Sequence, residues 1–234
     1  MRTAIALCLL TISCNADATF LNILVGQIRN ARLDVENTIR QLELLRDNVQ
    51  QDADLTVMKI WLKQMKEYDN YTISILDKIH KEVEDAKANG KNAQSCYDNA
   101  LNISRITDYE LIAEARLCIY TSTCSIKDNL NFIDNYITAG FELIKELDKI
   151  FPDCYEKNSR LIDILKLHNC ISTQLRTSKN SVNNLKTDAS SAKAISKNAK
   201  NVVVDQYTTC LNNAYSTAYS KVEEARSTAT KCLN

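Results

Sequence analysis

Apolar side chains recur along the first part of the chain at a heptad spacing. Leu21, Ile28, Val35, Leu42 and Val49 stand seven apart, and Leu24, Ala31, Thr38 and Leu45 follow the first four by three residues. Steps of three and four keep one face of an α-helix against a partner helix. The pattern then restarts one residue out of register, with Leu55, Leu62, Asp69, Leu76 and Val83 in one row and Met58, Met65, Thr72, Ile79 and Ala86 in the other. This slip, around Gln50, Gln51, Asp52 and Ala53, predicts a turn, and so an N-terminal helical hairpin over 19–90. Asn89 and Gly90 close it, because glycine adopts at no steric cost the left-handed conformation that commonly follows a helix C-terminus.

Downstream, Ala93, Cys96, Ala100 and Ile103 lead into a capping-box pattern at Thr107–Glu110 and then Leu111, Ala115 and Cys118. The stretch reads as one helix that could kink at the box. Ile126, Ile133, Gly140 and Leu147 next alternate with Leu130, Ile137, Ile144 and Phe151 up to Pro152. A proline lacks the N–H that a helix interior needs, so the helix is expected to end there. From Asp153 onward there is neither glycine nor proline, and Leu175, Val182, Ala189, Ser196, Val203 and Cys210, with Leu185, Ala192 and Ala199, allow a single long helix. That seam is rich in alanine and serine, so it packs closely but buries little area at about 25 cal/mol per Å².

Three glycines and one proline are too few for the tight turns of a β-sandwich. The expected fold is all-α: an elongated coiled-coil-like bundle of long amphipathic helices, disulfide-braced in the C-terminal two-thirds.

The N-terminus changes the picture of compartment. Arg2, the apolar run Ala4–Ile12 and the small-residue site Ala16-Asp17-Ala18 have the layout of a secretory signal peptide over 1–18. The mature chain would then begin at Thr19, with a region 91–234 carrying the cysteines and packed with 19–90 as one domain. No later stretch is long and apolar enough for a transmembrane anchor, so a secreted, extracellular protein is expected. The sequons Asn70-Tyr71-Thr72 and Asn102-Ile103-Ser104 make Asn70 and Asn102 glycosylation candidates and the product a glycoprotein.

Of nine cysteines, Cys8 and Cys14 would leave with the leader. Cys96, Cys118, Cys124, Cys154, Cys170, Cys210 and Cys232 remain, which reads as three disulfides and one odd thiol, itself a candidate link in a disulfide-bonded dimer. The segment Cys96-Tyr97-Asp98-Asn99-Ala100 echoes Cys210-Leu211-Asn212-Asn213-Ala214, and in each case a cysteine follows 22 residues on. A step of 22 returns to within about 40° of the same helix face. Two such stripes laid antiparallel would join Cys96 to Cys232 and Cys118 to Cys210 together, although spacing alone leaves other pairings open. Cys118 and Cys124 would stand about 9 Å apart in an unbroken helix, beyond disulfide reach.

Equal numbers of acidic and basic residues, 29 of each, argue neither for nucleic acid nor for an anionic membrane, and no nucleic-acid partner is expected. Lys179, Lys186, Lys193 and Lys200 nevertheless fall seven apart, in one row beside the last seam. The ordinary reading is a solvated flank paired with acidic residues of a neighbouring helix; the alternative is a basic contact stripe for an acidic glycan, phospholipid or nucleic acid, although no aromatic residue is interleaved as single-stranded nucleic acid would favour. Trp61, Met65 and Tyr68 cluster on the second helix and could form an adaptable contact surface, with core as the plainer reading.

No cysteine pair has zinc spacing, His80 and His168 stand apart, and no catalytic or phosphate-binding motif occurs. No metal, cofactor or catalytic activity is expected.

The cysteine contexts Ser95-Cys96-Tyr97, Leu117-Cys118, Thr123-Cys124, Asp153-Cys154-Tyr155 and Thr209-Cys210, after an amphipathic helical start, resemble the insect secreted proteins with a TsetseEP domain. The likeness covers roughly 60–232 and lacks the glutamate-proline repeats of the tsetse protein. It implies a small extracellular protein and supplies no catalytic residue. Together these readings predict a secreted, non-enzymatic helical interaction protein that binds an extracellular protein, a glycan or a microbial surface. An extracellular carrier of lipid or another apolar ligand is the alternative.

Overall fold

The computed structural model describes the backbone of residues 2–158 and 164–233 and the side chains of 20–157 and 164–233. All the elements described are α-helices: α1 Arg2–Ala88, α2 Gln94–Asn129, α3 Asn131–Asn158 and α4 Ile164–Leu233. The chain divides into two compact units, one of 1–48 with 130–196 and one of 49–129 with 197–234. Each packs three helical segments around its own core.

In the first unit α1 buries Leu24, Ala31, Val35, Thr38 and Leu42, as the first heptad seam predicts, and also Ile39, which that seam does not include; Ile133 and Leu147 of α3 and Leu175 and Leu185 of α4 are buried in the same unit. In the second, Val57, Tyr68, Ile75, Ile79 and Val83 of α1 meet Ala100, Leu111 and Ala115 of α2 and Tyr207, Leu211, Tyr215 and Val222 of α4. The α4 contribution includes Ala214, Ala218, Ala225 and Ala229 beside these tyrosines.

The expected hairpin does not form. α1 runs unbroken through Gln50–Ala53 to Ala88. Nothing there stops a helix: glutamine is a good helix former, aspartate costs less than about 0.7 kcal/mol, and Thr56 donates its hydroxyl to the Asp52 carbonyl at 2.7 Å. Ala53 and Val57 therefore carry the buried row onward. Leu55 and Leu62 point about 150° away from Val57 at 100° per residue. They and Met58 stay 60, 49 and 42 % exposed. Each compact unit draws on both sides of residue 90.

Gly90, at φ +82°, ends α1. Its N–H donates to the Lys87 carbonyl at 2.9 Å, and that of Lys91 donates to the Ala86 carbonyl at 3.1 Å, the two bonds of a Schellman motif. Thr107 starts no helix; it lies inside α2 and donates its hydroxyl to the Ile103 carbonyl at 2.9 Å. Pro152 also sits within its helix, because α3 continues to Asn158. The proline removes one backbone donor, while the turn beyond it is held by buried Cys154 and its bond to Cys170. Residues 153–158 thus belong to α3, and the long last helix begins at Ile164.

Cys96 bonds to Cys232 and Cys118 to Cys210, at Cα separations of 5.8 and 5.9 Å, so the two matched 22-residue steps staple α2 antiparallel to α4. Cys154–Cys170 ties the end of α3 to the start of α4. Among the described residues Cys124 is the free cysteine, and it is exposed. The leader expected at 1–18, with Cys8 and Cys14, lies outside the residues whose side chains are described.

Candidate functional site

In the first unit α1 and α4 leave an open groove of about 810 Å³ between them. Its opening follows from the seam composition: where α1 offers Leu42, Leu44 and Leu45, α4 answers with Ala189 and Ser190, whose side chains are too short to meet them. Lys186 bonds Asp34 across the two helices at 2.7 Å, and both residues line the groove. Leu42 is fully buried and Leu44 exposed, so the apolar side of the groove grades from core to rim.

Asn37, Gln41 and Asn48 line the groove from α1, and none makes a side-chain hydrogen bond to another of the described residues. A carboxamide carries donor and acceptor together, which suits hydroxyl-rich and amide-rich ligands. Lys193 faces them from α4. Its three companions in the lysine row are engaged: Lys179 donates to Gln27 at 2.9 Å, Lys186 to Asp34, and Lys200 to Asp52. Lys193 is the member of the row with no partner among the described residues. The ordinary reading of the stripe, pairing with acidic residues of a neighbouring helix, therefore holds at 186 and 200; Lys179 meets the neutral amide of Gln27, and Lys193 meets no partner among the described residues.

Chemically the groove can bind and orient. Its titratable side chains are Asp34, Lys186 and Lys193, and the first two are paired with each other. No cluster of three or more His, Cys, Asp or Glu able to hold a metal occurs among the described residues. His80 packs against the Tyr97 ring at 5.1 Å and His168 against Phe20 at 6.1 Å.

The proposed contact surface on α1 is core instead. Trp61 and Met65 are partly buried against the second unit's core, and Tyr68 is buried within it. With no turn at 50–53, the buried row that includes Val57 reaches Tyr68 and carries these side chains inward. Tyr68 stacks edge-on with Tyr215 and Tyr219, at 5.8 and 5.4 Å, and donates to Asp108 at 3.0 Å. Burial raises the Tyr68 hydroxyl well above its ordinary pKa and lifts Tyr215 to about 12. Burial also raises the Asp108 carboxyl, outweighing the opposing hydrogen bond from Tyr68. Asn70 and Asn102 are exposed on α1 and α2, whereas the sequon partners Thr72 and Ser104 are buried.

The groove residues Asn37, Gln41 and Asn48 did not figure among the sequence candidates. A signal existed: they lie four and seven residues apart, on one helical face, as three uncharged amides beside a leucine seam. Only the shortness of the facing α4 residues turns that row into a groove.

The chain matches no family model, and no curated protein resembles it significantly.

Proposed function

We propose that this is a secreted, non-enzymatic interaction protein whose contact site is the groove between α1 and α4 of the first unit. The observation that carries this reading is the unpaired Lys193 ammonium set opposite three uncommitted carboxamides over a leucine floor. Amides suit the donor and acceptor pairs of sugar hydroxyls, and a single free ammonium favours a ligand bearing an acid group, so an acidic glycan of a host or microbial surface fits best. Three disulfides support an oxidising compartment. Among the described residues, no helix is long and apolar enough to cross a membrane.

An array of acidic and neutral glycans tests the proposal. The intact protein is expected to retain acidic members, and Lys193→Ala to weaken them about tenfold, the equivalent of about 1.4 kcal/mol. Helix content should not change. Equal binding by the variant, or retention of neutral glycans alone, would defeat the assignment; a stoichiometric lipid in organic extracts of the native protein would favour a carrier.

A further inference from the structure

The face of α2 turned away from its own core is apolar too. Inward, α2 buries Cys96, Ala100, Ser104, Thr107, Leu111, Ala115, Cys118, Ser122 and Ile126. Outward, Ile106, Tyr109, Ala113, Leu117, Tyr120 and Cys124 succeed one another at steps of three or four residues, a second helix-packing seam. Ile106, Tyr109, Leu117 and Tyr120 are 50, 77, 64 and 69 % exposed, and Ala113 and Cys124 are exposed as well. A helix apolar on opposite faces needs cover on both.

The charges bordering this seam are sorted by sign. At 100° per residue, Arg105, Arg116 and Lys127 lie to one side of its centre line, and Glu110, Glu114 and Asp128 to the other, all within about 100° of it. All six are exposed. When two copies of such a helix pack in parallel about a two-fold axis, the basic flank of each meets the acidic flank of the other, twice. An antiparallel pair would set basic on basic and acidic on acidic.

We propose that the outward face of α2 is the seam of a parallel, two-fold pair with a second copy of this chain. In-register parallel packing places each seam residue opposite its own copy, so Cys124 faces Cys124 of the other chain. The pair forms without a covalent bond; the thiols then report its direction. With glutathione disulfide as oxidant, one Cys124 thiolate attacks a glutathione sulfur and releases a glutathione thiol. The second Cys124 thiolate displaces the remaining glutathione from the mixed disulfide. Two protein thiols are oxidised to one disulfide, one glutathione disulfide is reduced to two thiols, and the cysteine protons pass to the departing sulfurs.

Sedimentation of the full chain carrying Cys124→Ser, which removes any crosslink, is expected to show a concentration-dependent doubling of mass. Leu117→Asp should lower the association constant at least tenfold with unchanged far-ultraviolet circular dichroism, since Leu117 is exposed and no core contact is lost. Arg105→Glu with Arg116→Glu makes both flanks acidic, and Glu114→Lys with Asp128→Lys makes both basic while sparing the Glu110–Lys221 ion pair. Each variant alone should stay single, and an equimolar mixture should pair. In the chain with its native thiol, glutathione disulfide should yield a peptide joined through Cys124 to Cys124. A single-mass species at every concentration, pairing that survives Leu117→Asp or either charge reversal, or pairs whose Cys124 thiols never join would overturn the proposal.

Discussion

Gly140 of α3 lies so close to Ile39 of α1 that a Cβ placed on it would stand 2.7 Å from Ile39 Cγ1 and 2.9 Å from Cδ1, with Leu185 Cδ2 of α4 at 3.4 Å. The glycine is there for proximity: three helices of the first unit converge at one point where only a hydrogen fits.

Gly140→Ala therefore sets two opposed effects against each other. Alanine gains up to about 1 kcal/mol of helix propensity, and overpacking a core costs about 1–3 kcal/mol. The clash involves both Cγ1 and Cδ1 of Ile39, so the second effect should win and the melting temperature should fall. Adding Ile39→Ala, itself costly through the cavity it opens, should cost less in the Gly140→Ala background than in the native one. Denaturant unfolding of the two single variants and the double variant measures this coupling. Strict additivity would show that Ile39 moves aside freely.

The heptad rows of the first unit, the Gly90 stop and the double staple of α2 to α4 were legible in the sequence, because each rests on local periodicity or fixed helical spacing. The course of α1 past residue 50 was not. Leu55, Met58 and Leu62 make an equally regular apolar row, and periodicity cannot tell a row that is buried from one left outside. The decision was made by Ala53 and Val57, smaller residues that continue the earlier phase. Pro152 misled for a related reason: the local penalty is real, but a buried disulfide on the next turn outweighs it. The groove escaped notice because it is defined by what α4 lacks opposite α1.

Tyr207 is buried, and its hydroxyl finds no hydrogen-bond partner among the described residues. An unmet buried polar group costs about 1–3 kcal/mol, so Tyr207→Phe should stabilise the second unit by about 1 kcal/mol. Tyr68→Phe should act oppositely, since it strips Asp108 of its donor. Urea midpoints at constant m-value would separate the two cases, and destabilisation by Tyr207→Phe would mean that the hydroxyl is satisfied.

Removing a staple tests how far the cysteines support the second unit. Cys118→Ala with Cys210→Ala leaves Cys96–Cys232 in place and is expected to cost about 2–5 kcal/mol. Cys154→Ala with Cys170→Ala opens a separation of 16 residues in the other unit, where a loop of that size is worth about 3 kcal/mol. Two separable unfolding transitions, each moved by its own pair, would show that the units melt independently. A single transition moved by both pairs would show that they unfold together.

Asp108 and the tyrosines around it fix the sign of the pH dependence. Burial raises Asp108 in the folded state, so folding favours its protonated form. Its contribution is fully present below the ordinary aspartate value, about 3.9, and is lost as pH rises through the higher folded value. Asp108→Asn keeps an acceptor for Tyr68 and cannot ionise. The variant should therefore be the more stable protein near neutrality, with the difference shrinking towards acid. The tyrosines follow the same rule at the other end of the scale. Tyr215, through burial, and Tyr71, through burial and its hydrogen bond to Glu223, are raised to about 12, and Tyr68 and Tyr207 are raised as well. Their stabilisation is complete below the ordinary tyrosine value of about 10 and is lost as pH climbs through the folded values. Absorbance of tyrosinate should accordingly lag behind that of free tyrosine and then rise together with loss of helix above about pH 11. Titration of all ten tyrosines near 10 with the helix intact would show that the aromatic cluster is open to water.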